Sequence, residues 1–201
     1  MGNTNVSDET DLPAGNFSTW MTGMLAALRG ERSSDVPCGS CTACCTSSQF
    51  IHIAPDETDT LSHVPAELLF AAPGQPRGHV LMGYDQHGHC PMLIDNRCSI
   101  YEHRPRTCRT YDCRIFPAAG LELELEDDDS KISIAQRAQQ WRFTFDNPED
   151  RNQHEAVRAA AAFARENHAQ FRAEDVATST TQLAVLAIEI HSVFLRRGAT
   201  P

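Results

Sequence analysis

Eight cysteines, Cys38, Cys41, Cys44, Cys45, Cys90, Cys98, Cys108 and Cys113, fall within a single stretch of this 201-residue chain, and none lies outside it. The first four form the run CGSCTACC. Two residues between successive cysteines let a loop turn consecutive sulfurs inward around one centre. Cys38, Cys41 and Cys44 reproduce the three-ligand run that grips cubane iron-sulfur clusters, and a distant cysteine followed by proline commonly completes such a site. Cys90 with Pro91 fits that slot. The same sulfurs also suit zinc, because four thiolates close a tetrahedral site and eight would fill two. Side chains of adjacent residues diverge, so Cys45 is expected to face a second centre with members of Cys98, Cys108 and Cys113. Spacing alone does not choose the metal.

A thiol titrates near 8.5, so loading metal at neutral pH releases protons and leaves negative charge to be balanced. Arg97, Arg104, Arg106, Arg109 and Arg114 stand beside the later cysteines. Two readings stay open for them. They pair with Asp95, Glu102 and Asp112 as ordinary surface ions, or Arg104, Arg106 and Arg109 make an anion-binding face, since guanidinium forks suit carboxylates and phosphates. His87, His89 and His103 also lie close to cysteines, and any of them could replace a sulfur as ligand. His52, Tyr101, Tyr111, Met82 and Met92 read as structural residues. No CxxxCxxC radical signature, glycine-rich phosphate loop or nucleophile elbow occurs, so no catalytic residue and no reaction is assigned.

Stepping outward from the thiols, 41% hydrophobic residues allow a buried core and exclude wholesale disorder. A formal charge of -10, with Lys131 the one lysine among 17 basic residues, argues against a nonspecific grip on nucleic acid or anionic lipid. The longest clean apolar run, 183–188, is far too short to cross a bilayer. The first residues are polar and acidic rather than basic and then apolar, so the expected compartment is the reducing cytoplasm. There, eight thiols are better read as metal ligands than as four stable disulfides.

The elements that must hold the thiols can be read from periodicity. Residues 1–15 read as a flexible tail, and 17–29 as a helix stopped by Gly30. A short strand is expected over 49–53, a short helix capped by Asp56 through Leu61, and another opened by Pro65 through Phe70. HVLMGY and HCPMLI are expected as a hairpin turning at Asp85 to Gly88, with Cys90 on its second strand. Asn96 and Arg97 turn the chain, and Pro105 interrupts the helical turns that follow. The acidic LELELEDDD at 121–129 marks the end of the cysteine module. Asn147 and Pro148 open an alanine-rich helix to about His168, and Ser179 with Gln182 caps a last helix ending near Gly198. That helix has so wide an apolar stripe that it must be central or meet a partner. The expected fold is α+β, mainly helical, with a small β-hairpin and metal-organised cysteine loops. Its expected division is a metal-binding domain with its N-terminal helix over 16–120, and an acidic segment with a helical extension packed on it over 121–201.

The run CGSCTACC, followed by CPMLIDNRCSIYEHRPRTCRTYDC, resembles the YkgJ-type cysteine-cluster family, described as a zinc- or iron-chelating domain. The resemblance spans about Cys38 to Phe116. It implies that all eight cysteines are metal-binding positions, and it implies little about a reaction. The leading expectation is a metal-binding protein carrying an iron-sulfur cluster, 4Fe-4S in type, with a redox, metal-handling or enzyme-accessory role. Zinc is the alternative cofactor, in a stapled interaction module whose C-terminal helices dock a protein partner. An enzyme acting on a small anionic substrate at the metal site is the remaining alternative. No membrane association is expected.

Overall fold

A computed structural model describes residues 11–34, 36–123, 129–173 and 179–195. Along them run β1 (Leu12–Asn16), α1 (Phe17–Leu28), β2 (Ile51–Ile53), α2 (Thr58–His63), β3 (Leu69–Ala71), β4 (Val80–Met82), β5 (Leu93–Ile94) and β6 (Arg97–Cys98). Then follow α3 (Arg106–Thr110), α4 (Ile115–Ala119), α5 (Ile132–Gln139), β7 (Trp141–Thr144), α6 (Pro148–Glu166), α7 (His168–Ala173) and α8 (Thr180–Ile190). The fold is α+β and mainly helical, with small sheets. No described helix is long and apolar enough to cross a membrane. The chain divides into two compact units, one formed by the described parts of 1–21, 114–122 and 136–201, the other by those of 22–113 and 123–135.

The first unit is built on small side chains. In α6, Ala156, Val157, Ala160, Ala161 and Ala164 are all buried, a stripe at 3–4-residue spacing that lets neighbouring helices approach closely. It packs against α8 through Leu183, Ala184, Ala187 and Ile188, and α4 packs against both. This double contact takes up the broad apolar stripe of α8. Asn147 caps α6: its side chain accepts from the Asp150 amide at 3.0 Å, while the Asp150 carboxylate accepts from the Asn147 and Asp146 amides. That carboxylate also receives the Asn16 amide at 2.7 Å and the Ser18 hydroxyl, so one buried acid ties the start of α6 to the β1–α1 junction. Beside it β1 pairs in parallel with β7.

The second unit holds all eight cysteines. Its three-stranded antiparallel sheet has the order β2-β4-β3, with Ile51 and Leu69 both opposite Met82. Ile53, Val64, Met82, Met92 and Ile100 form the core, and Cys90 and Cys98 pack against it. Strands β5 and β6 make a separate hairpin, in which Asp95 and Asn96 both take positive φ (49° and 57°), the backbone that a tight two-residue turn requires. Helix α3 lies against β2, where the Thr107 hydroxyl donates to the His52 carbonyl at 2.7 Å.

Several elements differ from the sequence reading. Within the expected tail, Leu12–Asn16 is a strand, because its partner Trp141–Thr144 lies about 130 residues away and local pattern carries no sign of it. Glu57, not Asp56, stands at the start of α2, and the segment after Pro65 is a 3-10 turn leading into strand β3 rather than a helix. The turn at Asp85 to Gly88 is present, but β4 pairs with β2 and β3, and Cys90 lies in the loop beyond the turn rather than on a strand. Helix α8 ends at Ile190 and continues as a 3-10 turn to Val193. Most of the acidic run at 121–129, and Gly198, lie outside the described residues.

Candidate metal centre

The first cysteine loop is wound by its own backbone. The Cys41 amide donates to the Cys38 carbonyl at 2.9 Å and the Cys45 amide to the Thr42 carbonyl at 2.8 Å, closing a 3-10 turn over Ala43–Thr46. Buried Ser47 fixes its end by donating to the Ala43 carbonyl at 2.8 Å. The second segment is fastened to the first: Cys90 donates to the Cys45 carbonyl at 2.7 Å and Ser48 to the Gly88 carbonyl at 2.9 Å. Between them Asp85 shapes the turn, its carboxylate accepting the His87 and His89 amides. Cys98 follows on β6 opposite Leu93, Cys108 sits in α3, and buried Cys113 follows that helix.

None of the eight thiols is in a disulfide. Their mutual electrostatics sort them. Desolvation raises the Cys44 thiol above its ordinary range even though its residue reaches the surface, and Cys113 and Cys38 are the thiols that add most to that rise. Burial pushes Cys45 up to about 12, and here Cys90 and Cys98 add most. Cys108 is likewise pushed up to about 12 by burial, then by Cys90, Cys45 and Cys98, with Arg104 opposing the rise. Cys90 is raised by burial and by Cys98, against the Met92 amide. Cys44 and Cys45 share Cys38 and Cys41 as neighbours and differ in the foremost one: Cys113 acts most on Cys44, and Cys90 and Cys98 act most on Cys45. The backbone bond to Cys45 sets Cys90 beside that residue.

Among the described residues, the trio of metal-ligating atoms lying within 4.8 Å of one another is Asp59, His63 and His103, not a trio of sulfurs. As a donor set, thiols crowded together without disulfides fit a thiophilic metal, zinc or the iron of a cluster.

Residues 37–141, more than half of the chain, match the family described as "CxxCxxCC: putative zinc- or iron-chelating domain". The chain belongs to the CxxCxxCC family. No curated protein and no solved structure matches it. All eight thiols of this CxxCxxCC protein lie inside the matched span, so its metal-binding character rests on family and site together.

The arginines of the CxxCxxCC segment each have partners of their own. Arg104 stacks on the Tyr101 ring, 3.6 Å from its centroid, and donates to the Tyr101 carbonyl. Arg106 pairs with Asp56 at 2.6 Å, and Arg109 stands 4.0 Å from Glu57. Arg114 is buried, donates to the Ala14 carbonyl and lies over Trp141. Of the three expected to form an anion face, Arg104 alone lines a pocket of about 300 Å³, together with Ser34, Val36, Cys38, Cys108 and Tyr111. Burial raises the Tyr111 hydroxyl above its usual range, with Cys44 and Cys113 next in effect. Met82 and Met92 are core residues, as expected, while Tyr101 is half exposed. His87 and His89 flank the Asp85 turn, and His103 contacts Asp59 instead of a thiol. Sequence reading passed over Glu57, 7% exposed, whose carboxylate accepts from the Ala54 and Arg106 amides and so fixes α2 against the start of α3. It also passed over Asp59 and His63, although their four-residue spacing on a short helix was visible.

Proposed function

We propose that this CxxCxxCC protein holds two metal centres of iron-sulfur character, one on Cys38, Cys41, Cys44 and Cys113, the other on Cys45, Cys90, Cys98 and Cys108, and serves electron transfer or metal handling. The observation that carries this reading is that Cys113 acts foremost among the thiols on Cys44, while Cys90 and Cys98 act foremost on adjacent Cys45. The run Cys38, Cys41, Cys44 supports iron-sulfur chemistry, since it is the three-ligand grip of a cubane cluster. When bound, such a cluster supplies one-electron redox capacity. The chain's own residues then shield and bias it: the core around Met92 and Ile100 backs Cys90 and Cys98, and Arg104 places positive charge beside Cys108. The pocket between Tyr101, Tyr111 and Arg104 gives a small molecule or a partner's side chain access to Cys38 and Cys108.

Zinc in both sets is the second reading, favoured by the count of four thiols in each, the number that closes a structural site. Purification without oxygen, followed by elemental analysis and electron paramagnetic resonance after reduction, separates the two. A brown protein with iron and acid-labile sulfide, giving a cluster signal on reduction, is the expected result. A colourless protein with stoichiometric zinc overturns the iron-sulfur assignment while leaving the two sets standing.

A further inference from the structure

A second group of ligating side chains stands apart from the thiols in the same unit. Asp59 and His63 are four residues apart on α2, so one helical turn brings both to one face. His103 meets them from the 3-10 turn Tyr101–His103. Its Nδ1 lies 2.9 Å from Asp59 Oδ2, and His63 Nδ1 lies 3.8 Å from Asp59 Oδ1. The two imidazoles stack with centroids 3.5 Å apart and planes 5° from parallel.

The backbone under this group is fixed while the side chains face water. Thr60, 2% exposed, donates its hydroxyl to the His103 carbonyl at 2.9 Å, pinning the 3-10 turn to α2. Buried Glu57 binds the Arg106 amide three residues beyond His103. The side chains of His63, Asp59 and His103 keep 40%, 68% and 39% of their surface exposed.

Two imidazoles and a carboxylate are the mixed nitrogen and oxygen set that borderline divalent ions take, whereas calcium and magnesium prefer oxygen alone. The His103 ring holds the Asp59 carboxyl below the usual carboxylate range, so it is anionic at neutral pH. Metal bonds of about 2.1 Å in tetrahedral array place ligating atoms roughly 3.4 Å apart. The present spacing, within 4.8 Å, needs a closure on the order of 1 Å, which rotation of three exposed side chains can supply.

We propose that Asp59, His63 and His103 form a surface site for a divalent transition-metal ion such as zinc, independent of the thiol centres. Three protein ligands leave a tetrahedral ion one open position for water or an incoming ligand. The site would thus accept an exchangeable ion.

The test is a calorimetric titration of the full chain, prepared without oxygen and with its thiol-bound metal in place, with Zn²⁺ alone. One further equivalent is expected, accompanied by proton NMR shifts of the His63 and His103 ring signals. His63→Gln, His103→Gln and Asp59→Asn should each weaken that equivalent by at least about tenfold, the scale seen even for outer-shell ligand partners. Thiol-bound metal, counted by elemental analysis, and melting temperature should stay unchanged in all three. Absence of the further equivalent overturns the proposal, and so does an equivalent that persists in the three variants.

Discussion

The Cys90 amide donates to the Cys45 carbonyl across 2.7 Å, although 45 positions of chain separate the two residues. A single backbone bond thus sets a thiol of the later segment beside the second cysteine of the CC pair. If Cys45 and Cys90 serve one centre and Cys44 and Cys113 the other, Cys90→Ser and Cys113→Ser should each lose about half of the bound metal, and the double variant nearly all. Metal per chain after anaerobic purification decides this. A double variant no poorer in metal than either single one would point to one shared centre.

The turn that delivers Cys90 depends on Gly88, whose φ is +77° and where an added Cβ would collide with the Ser48 hydroxyl. Gly88→Ala should cost roughly 1–2 kcal/mol from the left-handed backbone alone, before the clash is relieved. It should also loosen the Ser48 and Cys90 bonds that follow. Denaturant midpoints and metal content should fall together; a full metal complement at reduced stability would separate the turn from the site.

Metal uptake should carry protons with it. Burial and neighbouring thiols push Cys45 and Cys108 up to about 12, so at neutral pH both are protonated and a metal must displace those protons. Raised values favour the protonated form, so affinity falls as pH falls. Loading Zn²⁺ into weakly buffered protein should acidify the medium, and apparent affinity should drop from about pH 8 to about pH 6. Affinity independent of pH would contradict deprotonation at these thiols.

Acid should unfold the unit organised by Asp150. The Ser18 hydroxyl first, then the Asn16 side chain and the Asp146 and Asn147 amides, hold its carboxyl below the usual carboxylate range. A lowered folded value means that the contribution is whole above the unfolded value of about 3.9 and is lost as pH falls through the lower folded one. Trp20 and Trp141, the chain's two tryptophans, both lie in this unit, so their fluorescence reads it directly. Wild type should lose stability below about pH 4. Asp150→Asn should start less stable at neutral pH and lose less on acidification; an equal acid response in both would exclude Asp150 as the titrating group.

How much of this was legible depended on how far each signal travels along the chain. Caps and stops were readable because they are local: Asn147 with Pro148, Ser179 with Gln182 and Gly30 all stand where their side chains or φ require. So was the mainly helical α+β class. The parallel pairing of Leu12–Asn16 with Trp141–Thr144 was not readable, because no local pattern names a partner so far away. For the thiols, spacing shows what they can chelate, and adjacency is the ground for assigning Cys44 and Cys45 to different centres. The place of Cys90 beside Cys45 depends on a backbone bond, which leaves no mark in composition or periodicity. The partners that the arginines take, Tyr101, Asp56, Glu57 and Ala14, are likewise set by the fold and not by spacing.

Cys44 and Cys45 share one peptide link, and under the two-centre reading they serve different groups of thiols. Any shift of that link on filling one group is handed to the other without an intervening joint. Under the two-centre reading, loading should therefore be cooperative, with half-filled chains scarce at intermediate metal and native mass spectrometry finding mainly empty and doubly filled species.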